Sequence, residues 1–302
     1  MVTDLIRLAR PGHWIKNVLV LLPVVTALRM RDAGAWAAAG LAFASFCLAA
    51  SAVYVINDIR DRVQDRLHPR KRGRPLAAGR LGLRAAGVEA GVLLAGALAL
   101  AALTGPMVLA TVAAYTLLQV LYTYVLSRKM LVDVICIALG FVLRALAGAV
   151  AIAVRVSPWL FVCTFTLCLF MGFCKRCGEL ATLGSGDEGR KHRPTLAGYT
   201  PELLTHLITL SAAIAVVAYL LYATSPSTLR NFGTDYPYLV FSLPLVVYGI
   251  FRFAMLSMRG RYADPVELIL RDWPFQVTVL LWAALAVAAI QYGPAIDAAQ
   301  VP

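Results

Sequence analysis

Charge is scarce in this 302-residue chain: Asp and Glu number 16, Lys and Arg 28, and the four types together make up 15% of the residues. Soluble domains carry about 25%, so an ordinary water-soluble globule is excluded. Histidine is rarer still, at four, with no paired spacing of the kind that builds a zinc site or a histidine-based triad. The first basic residues (Arg7, Arg10, Lys16) lead into an apolar stretch without a small-residue cleavage site, so no removable signal peptide is expected. Six cysteines (Cys47, Cys136, Cys163, Cys168, Cys174, Cys177) sit in or at the ends of apolar runs. Cys174 and Cys177 form a CxxC with no second pair or histidine partner at metal spacing, and small apolar packing accounts for all six. No linker, low-complexity tract or repeat divides the chain. A single integral membrane domain over 1–302 is the expectation.

What is abundant is hydrophobic length. Residues of apolar type make up 60% of the chain, in runs near the ~20 residues a bilayer-crossing helix needs. Nine spans are predicted, at about 15–30, 35–56, 84–104, 107–126, 131–153, 157–174, 203–223, 236–256 and 274–292. The first is weakest, because Pro23 interrupts it and Lys16 shortens it. With the N-terminus inside and nine crossings, 23 of the 28 Lys and Arg fall on the inner side, as the positive-inside rule requires. The net charge of +12 is therefore explained by topology and anionic lipid, and nucleic acid is not an expected partner.

The segment VINDIRDRVQDRLHPRKRGRPL, from Val55 to Leu76, concentrates charge of both signs. Asp58, Asp61 and Asp65 are spaced i, i+3, i+7, which places them on one face of a helix continuing from the second span. Carboxylates so aligned repel unless a cation lies among them, and hard oxygen donors suit Mg²⁺, which completes its shell with water and phosphate oxygens. Asn57 adds an amide. His68, Arg70, Lys71, Arg72 and Arg74 follow, and arginine grips phosphate bidentately. Acids for metal beside bases for phosphate describe a site for a metal-chelated diphosphate. The bland alternative is a solvated helix end in which Arg60, Arg62 and Arg66 pair the acids.

Asn57, Asp58, Asp61 and Asp65, read as NDxxDxxxD, together with HPRKRGRPLAAG, resemble the UbiA-type intramembrane prenyltransferase superfamily over nearly the whole chain. The resemblance implies an all-α fold of about nine transmembrane helices around a central cavity, an active site on the cytoplasmic side of a bacterial inner membrane, and Mg²⁺ held by Asp58, Asp61 and Asp65. Ordinary members carry a second acidic motif, DxxxD or similar, after the sixth helix. Here that loop reads FCKRCGELATLGSGDEGRKHRPTLAGYT and is mostly basic.

Its KRxxEL and HRxxLxxY patterns resemble the decaprenyl-phosphate phosphoribosyltransferase branch, as do LVDVICIALGFVLRALAGAVAI, with Asp133, Arg144 and Gly148, and DPVELILRDWP. That branch implies 5-phosphoribosyl diphosphate as donor, a polyprenyl phosphate as acceptor, and a role in supplying arabinose or ribose units for envelope glycans. The residues so implied are Asn57, Asp58 and Asp61 as catalytic, and Arg66, His68, Lys71, Arg74, Tyr122, Arg128, Lys129, Arg144, Lys175, Arg176, Glu179 and Arg193 as substrate-binding. One position departs. The branch places a lysine five residues after the tyrosine at Tyr122, where this chain has Ser127, with Arg128 and Lys129 next to it. Arg144, costly inside a span, is expected to face a cavity or to pair with Asp133 or the first acid cluster. A prenyl transfer from a prenyl diphosphate to an aromatic acceptor is the alternative chemistry, and an ion-coupled transporter or lipid-binding protein a third. Chain length of the lipid and oligomeric state are not legible.

Overall fold

The structure is a computed structural model and describes residues 2–67, 71–155, 158–183, 196, 198–262 and 265–300. Every regular element among them is helical. After α1 (Val2–Ala9) come a 3-10 segment (Pro11–Val20), α2 (Leu22–Thr26), α3 (Ala33–Leu67), α4 (Leu83–Thr104), α5 (Pro106–Tyr124), α6 (Val132–Ala151) and α7 (Pro158–Leu183). Then follow α8 (Pro201–Thr224), α9 (Pro226–Phe232), α10 (Leu243–Met258), α11 (Pro265–Arg271) and α12 (Trp273–Gln300). Among the described residues eight helical stretches are long and apolar enough to cross a membrane.

The first expected span is the correction. Residues 15–30 form no continuous α-helix: Gly12 and Pro11 open a 3-10 stretch, Leu21 ends it, and Pro23 starts the short α2. The segment nevertheless runs the depth of α3. At one end Arg10 meets Asp58 near the C-terminus of α3, and at the other Val24 packs with Ala35 and Ala39 near its start. Ten residues of 3-10 helix and five of α2 rise about 27 Å, at ~2.0 and ~1.5 Å per residue.

The chain divides into two compact units. The first comprises Met1–Ser127 and Leu139–Ser157, the second Arg128–Ala138 and Pro158–Pro302. In the first, α3 meets α4 through small side chains: Ala42, Ala49, Ala50, Ala97 and Ala101 are buried beside Phe46, Val108 and Val112. Small residues let helix backbones approach where no hydrophobic effect separates lipid from protein. Ser45 Oγ donates to the Ala97 carbonyl at 2.6 Å. Gly148 of α6 shows the tightest packing, since a Cβ there would lie 1.9 Å from the Val20 carbonyl oxygen.

The second unit has its own core, where Val134, Phe170, Phe173, Leu204, Ile208, Phe253 and Leu256 are buried together. Phe170 and Phe253 rings stand 5.7 Å apart. Arg252 of α10 grips Asp272 through both carboxylate oxygens, at 2.6 and 3.0 Å, while Asp272 Oδ1 accepts from the Phe275 amide and so caps α12. Asp272 belongs to the DPVELILRDWP stretch, whose Asp264 lies outside the described residues. Along α12, Val277, Leu280, Leu281 and Leu285 are exposed.

Candidate active site

α3 runs unbroken from Ala33 to Leu67, so the helix of the second span carries the acid motif, as its spacing predicts. A continuous α-helix places Asp58 and Asp65 two turns apart on one face, and both are buried. Arg74, from the turn after α3, bridges them: its Nη1 lies 3.1 Å from Asp58 Oδ1 and 2.6 Å from Asp65 Oδ2. Asp61 is more open, its side chain 39% exposed and 3.7 Å from Arg60 Nε. The Thr123 hydroxyl of α5 donates to Asn57 Oδ1, which orients that amide. Among the described residues no three His, Cys, Asp or Glu side chains gather as a ready metal cage.

Arg10 is a component that the sequence did not assign. Its Nη2 donates to Asp58 Oδ1, the same oxygen that Arg74 meets, and its guanidinium lies 5.2 Å from the Tyr54 ring centroid. Its backbone is left-handed, at φ 52° and ψ 60°, directly before Pro11. A non-glycine residue there costs about 1–2 kcal/mol, and the pairing with Asp58 offsets it. α1 is docked by Leu8, buried with Val55 and Leu76, and by an Asp4–Arg80 ion pair at 2.9 Å.

Of the other expected residues in this unit, Arg66 is exposed and donates to the Ala77 carbonyl at 3.1 Å, Lys71 is exposed, and Tyr122 is half-buried near the end of α5. Ser127 Oγ turns back to the Thr123 carbonyl at 3.3 Å. His68 and Arg193 lie outside the described residues. Arg144 pairs with neither Asp133 nor the acid cluster. Its guanidinium donates to Asn17 Oδ1 at 2.6 Å, the Gly140 carbonyl at 2.9 Å and the Tyr115 hydroxyl at 2.9 Å. This buried cation is held by neutral acceptors and by the faces of Tyr115 and Phe141, so it braces the 3-10 segment against α5 and α6. Asn17, a polar residue within the first apolar run, was the visible signal.

The second unit holds a separate charged network. Arg176, expected to meet phosphate, is fully buried, with Nε 2.9 Å from Asp133 Oδ2 and Nη1 2.5 Å from Glu179 Oε2. Asp133 Oδ1 accepts from the Val134 amide at 2.9 Å and from the Tyr199 hydroxyl at 3.2 Å. Tyr199 in turn accepts from the Leu131 amide at 2.9 Å. Burial pushes the Tyr199 phenol up to about 12, so it remains a donor at neutral pH. Leu131 has a left-handed φ of 67°, held by that contact. Lys175 is half-buried, Glu179 partly exposed, and Arg128 and Lys129 are exposed.

Long apolar helices, with an acid–arginine cluster at the end of one of them, define a polytopic membrane protein. Residues 18–275 match the UbiA prenyltransferase family. The chain is 35% identical over 301 residues to a decaprenyl-phosphate phosphoribosyltransferase of Mycolicibacterium smegmatis, covering 97% of this chain and 94% of that one. It is 33% identical over 297 residues to the Mycobacterium tuberculosis protein of the same name, covering 97% and 96%. A UbiA homologue from Archaeoglobus fulgidus, solved with GPP and Mg²⁺, shares the fold with a TM-score of 0.70 at 21% identity, over 95% of this chain and 99% of that one. This integral membrane protein belongs to the UbiA prenyltransferase family, in its decaprenyl-phosphate phosphoribosyltransferase branch.

Proposed function

We propose that the protein transfers the 5-phosphoribosyl group from 5-phosphoribosyl diphosphate to a polyprenyl phosphate of decaprenyl type, releasing diphosphate, with Mg²⁺ as cofactor. The observation that supports it is the Asp58–Arg74–Asp65 arrangement, in a chain similar along 97% of its length to enzymes of that name. The donor set fits Mg²⁺: one or two carboxylates from a helix face, completed by waters and phosphate oxygens, is the usual form of such a site. Asp58, Asp61 and Asp65 would hold one or two such ions between them, and when bound the metal supplies charge stabilisation for the departing diphosphate.

The chain's own residues do the rest. Arg74 and Lys71 present cations to diphosphate oxygens, and Asn57, fixed by Thr123, holds its amide beside the acids. A ribose 5-phosphate and an acceptor phosphate need further cations, for which Arg66, His68, Arg128, Lys129, Lys175 and Arg193 are the candidates. Arg176 keeps its place through Asp133 and Glu179 and acts as a positioning residue. The acceptor phosphate, with a second pKa of about 6, is largely dianionic at neutral pH and attacks C1 without a general base. An in-line displacement inverts C1. The exposed apolar faces, α12 among them, contact lipid, and the acceptor's tail enters from the bilayer. Counting the broken 11–26 segment as the first of nine crossings puts the N-terminus and the acid cluster at the cytoplasmic face.

Purified protein with Mg²⁺, radiolabelled 5-phosphoribosyl diphosphate and polyprenyl phosphate should pass label to the lipid phase, and Asp58→Ala and Asp61→Ala should abolish it. Turnover only with a prenyl diphosphate and an aromatic acid would refute the reading and mark Ser127 as a change of donor.

A further inference from the structure

The acid cluster is already charge-compensated by two arginines that come from different parts of the chain. Arg74 arrives from the turn that follows α3, whereas Arg10 arrives from the opposite direction, at the junction of α1 and the 3-10 segment. Both meet one oxygen, Asp58 Oδ1. That oxygen cannot serve two guanidiniums and a divalent cation at once, because like charges crowded on one acceptor repel. A metal that takes this oxygen must therefore displace a cation.

Arg10 is the one built to leave. Arg74 is held by two carboxylates, Asp58 at 3.1 Å and Asp65 at 2.6 Å, and Asp65 Oδ2 can keep it while Asp65 lends its other oxygen to the ion. Among the described residues Arg10 hydrogen-bonds to no second carboxylate, and the group beside it is the Tyr54 ring. Its backbone stands in the left-handed region, before a proline, a conformation that stays populated while a partner compensates it.

We propose that Arg10 is an exchangeable counter-ion: it neutralises Asp58 while the acids hold no divalent cation, yields that oxygen when metal and diphosphate arrive together, and then turns its guanidinium to the diphosphate. This rests on the metal–diphosphate reading above. It makes metal alone a poor ligand and metal with diphosphate a good one, since the anion gives the displaced guanidinium a new partner. By reciprocity each ligand then strengthens the other.

The test is Mn²⁺ titration of the full-length protein in nanodiscs, followed by electron paramagnetic resonance, with and without inorganic diphosphate. Wild type should bind Mn²⁺ weakly alone and much more tightly with diphosphate. Arg10→Gln should bind Mn²⁺ alone about tenfold more tightly, the scale on which a neighbouring guanidinium shifts a carboxylate's hold on a proton, and gain less from diphosphate. Arg10→Met, which keeps the apolar stem, should behave as Arg10→Gln, and Arg10→Lys as wild type. Thermal midpoints identify any variant that fails to fold, and the other two then decide. Unchanged or weaker Mn²⁺ binding in the folded neutral variants overturns the exchange while leaving the metal site intact. Absence of Mn²⁺ binding to wild type even with diphosphate overturns the metal reading and the exchange together.

Discussion

Asp133 and Arg176 are both fully buried, so these residues carry the clearest energetic consequence. Removing one partner of a buried ion pair costs about 3–5 kcal/mol, because the other charge is left without compensation. Arg176→Gln and Asp133→Asn are each expected to lower the unfolding midpoint in detergent by several degrees, whereas Lys175→Gln should act on donor KM. Equal midpoints for Arg176→Gln and wild type would return Arg176 to a purely phosphate-binding role. Asp272 gives a pH dependence. The Arg252 guanidinium holds its carboxyl below the ordinary carboxylate range. A carboxyl depressed in the folded state contributes stability above its unfolded value, about 3.9, and loses it as pH falls through the lower folded value. The midpoint difference between wild type and Asp272→Asn should be full at pH 5–7 and shrink below about pH 4; a difference independent of pH would mean that the pair is held by packing alone.

Among elements, the 3-10 segment was the one that the sequence disguised. Its apolar residues suggested a transmembrane α-helix, and Pro23 showed only that this helix would be interrupted. What selects the narrower 3-10 path is an approach visible only in three dimensions, the Val20 carbonyl against the Cα of Gly148. Gly148→Ala would place a methyl group inside that contact and cost about 1–3 kcal/mol as overpacking, measurable as a shift in the SDS-induced unfolding midpoint. Because Asn17 of the same segment accepts from Arg144, the substitution should also loosen that buried cation; an unshifted midpoint would show that the segment yields freely. The acid helix, by contrast, was legible to the residue: the i, i+3, i+7 spacing and the unbroken α3 agree. Arg10 was not legible, since 48 positions separate it from Asp58 and nothing in local spacing joins them. The partner of Arg144 was misplaced for a related reason. A buried cation invites the search for an acid, while here backbone, amide and phenol oxygens satisfy it.

For the whole molecule, crossing parity distinguishes two topologies that composition alone treats alike. Eight long helices would return the C-terminus to the side on which the chain starts; a broken first crossing makes nine and puts the termini on opposite sides. The contacts of α1 near Asp58 and of α2 near Ala35 favour the second count, because they lie at opposite ends of α3. Basic residues support it too: Arg60 to Arg84, Arg128 and Lys129, and Arg259 to Arg271 all join helix ends that the nine-crossing path assigns to the cytoplasm. On the proposed nine-crossing path, alkaline phosphatase fused after Thr104 or at the C-terminus should be active and green fluorescent protein fused after Arg128 should fluoresce, because that path assigns the first two positions to the outside and the third to the inside. A cysteine placed at Thr3 that is labelled from outside, beside an active fusion at Thr104, would mean that the chain crosses eight times, because six long helices separate Thr104 from the C-terminus and only the N-terminus changes side between the two counts. The 11–26 segment would then be a re-entrant wall, and α1 and Arg10 would have to reach Asp58 from within the membrane.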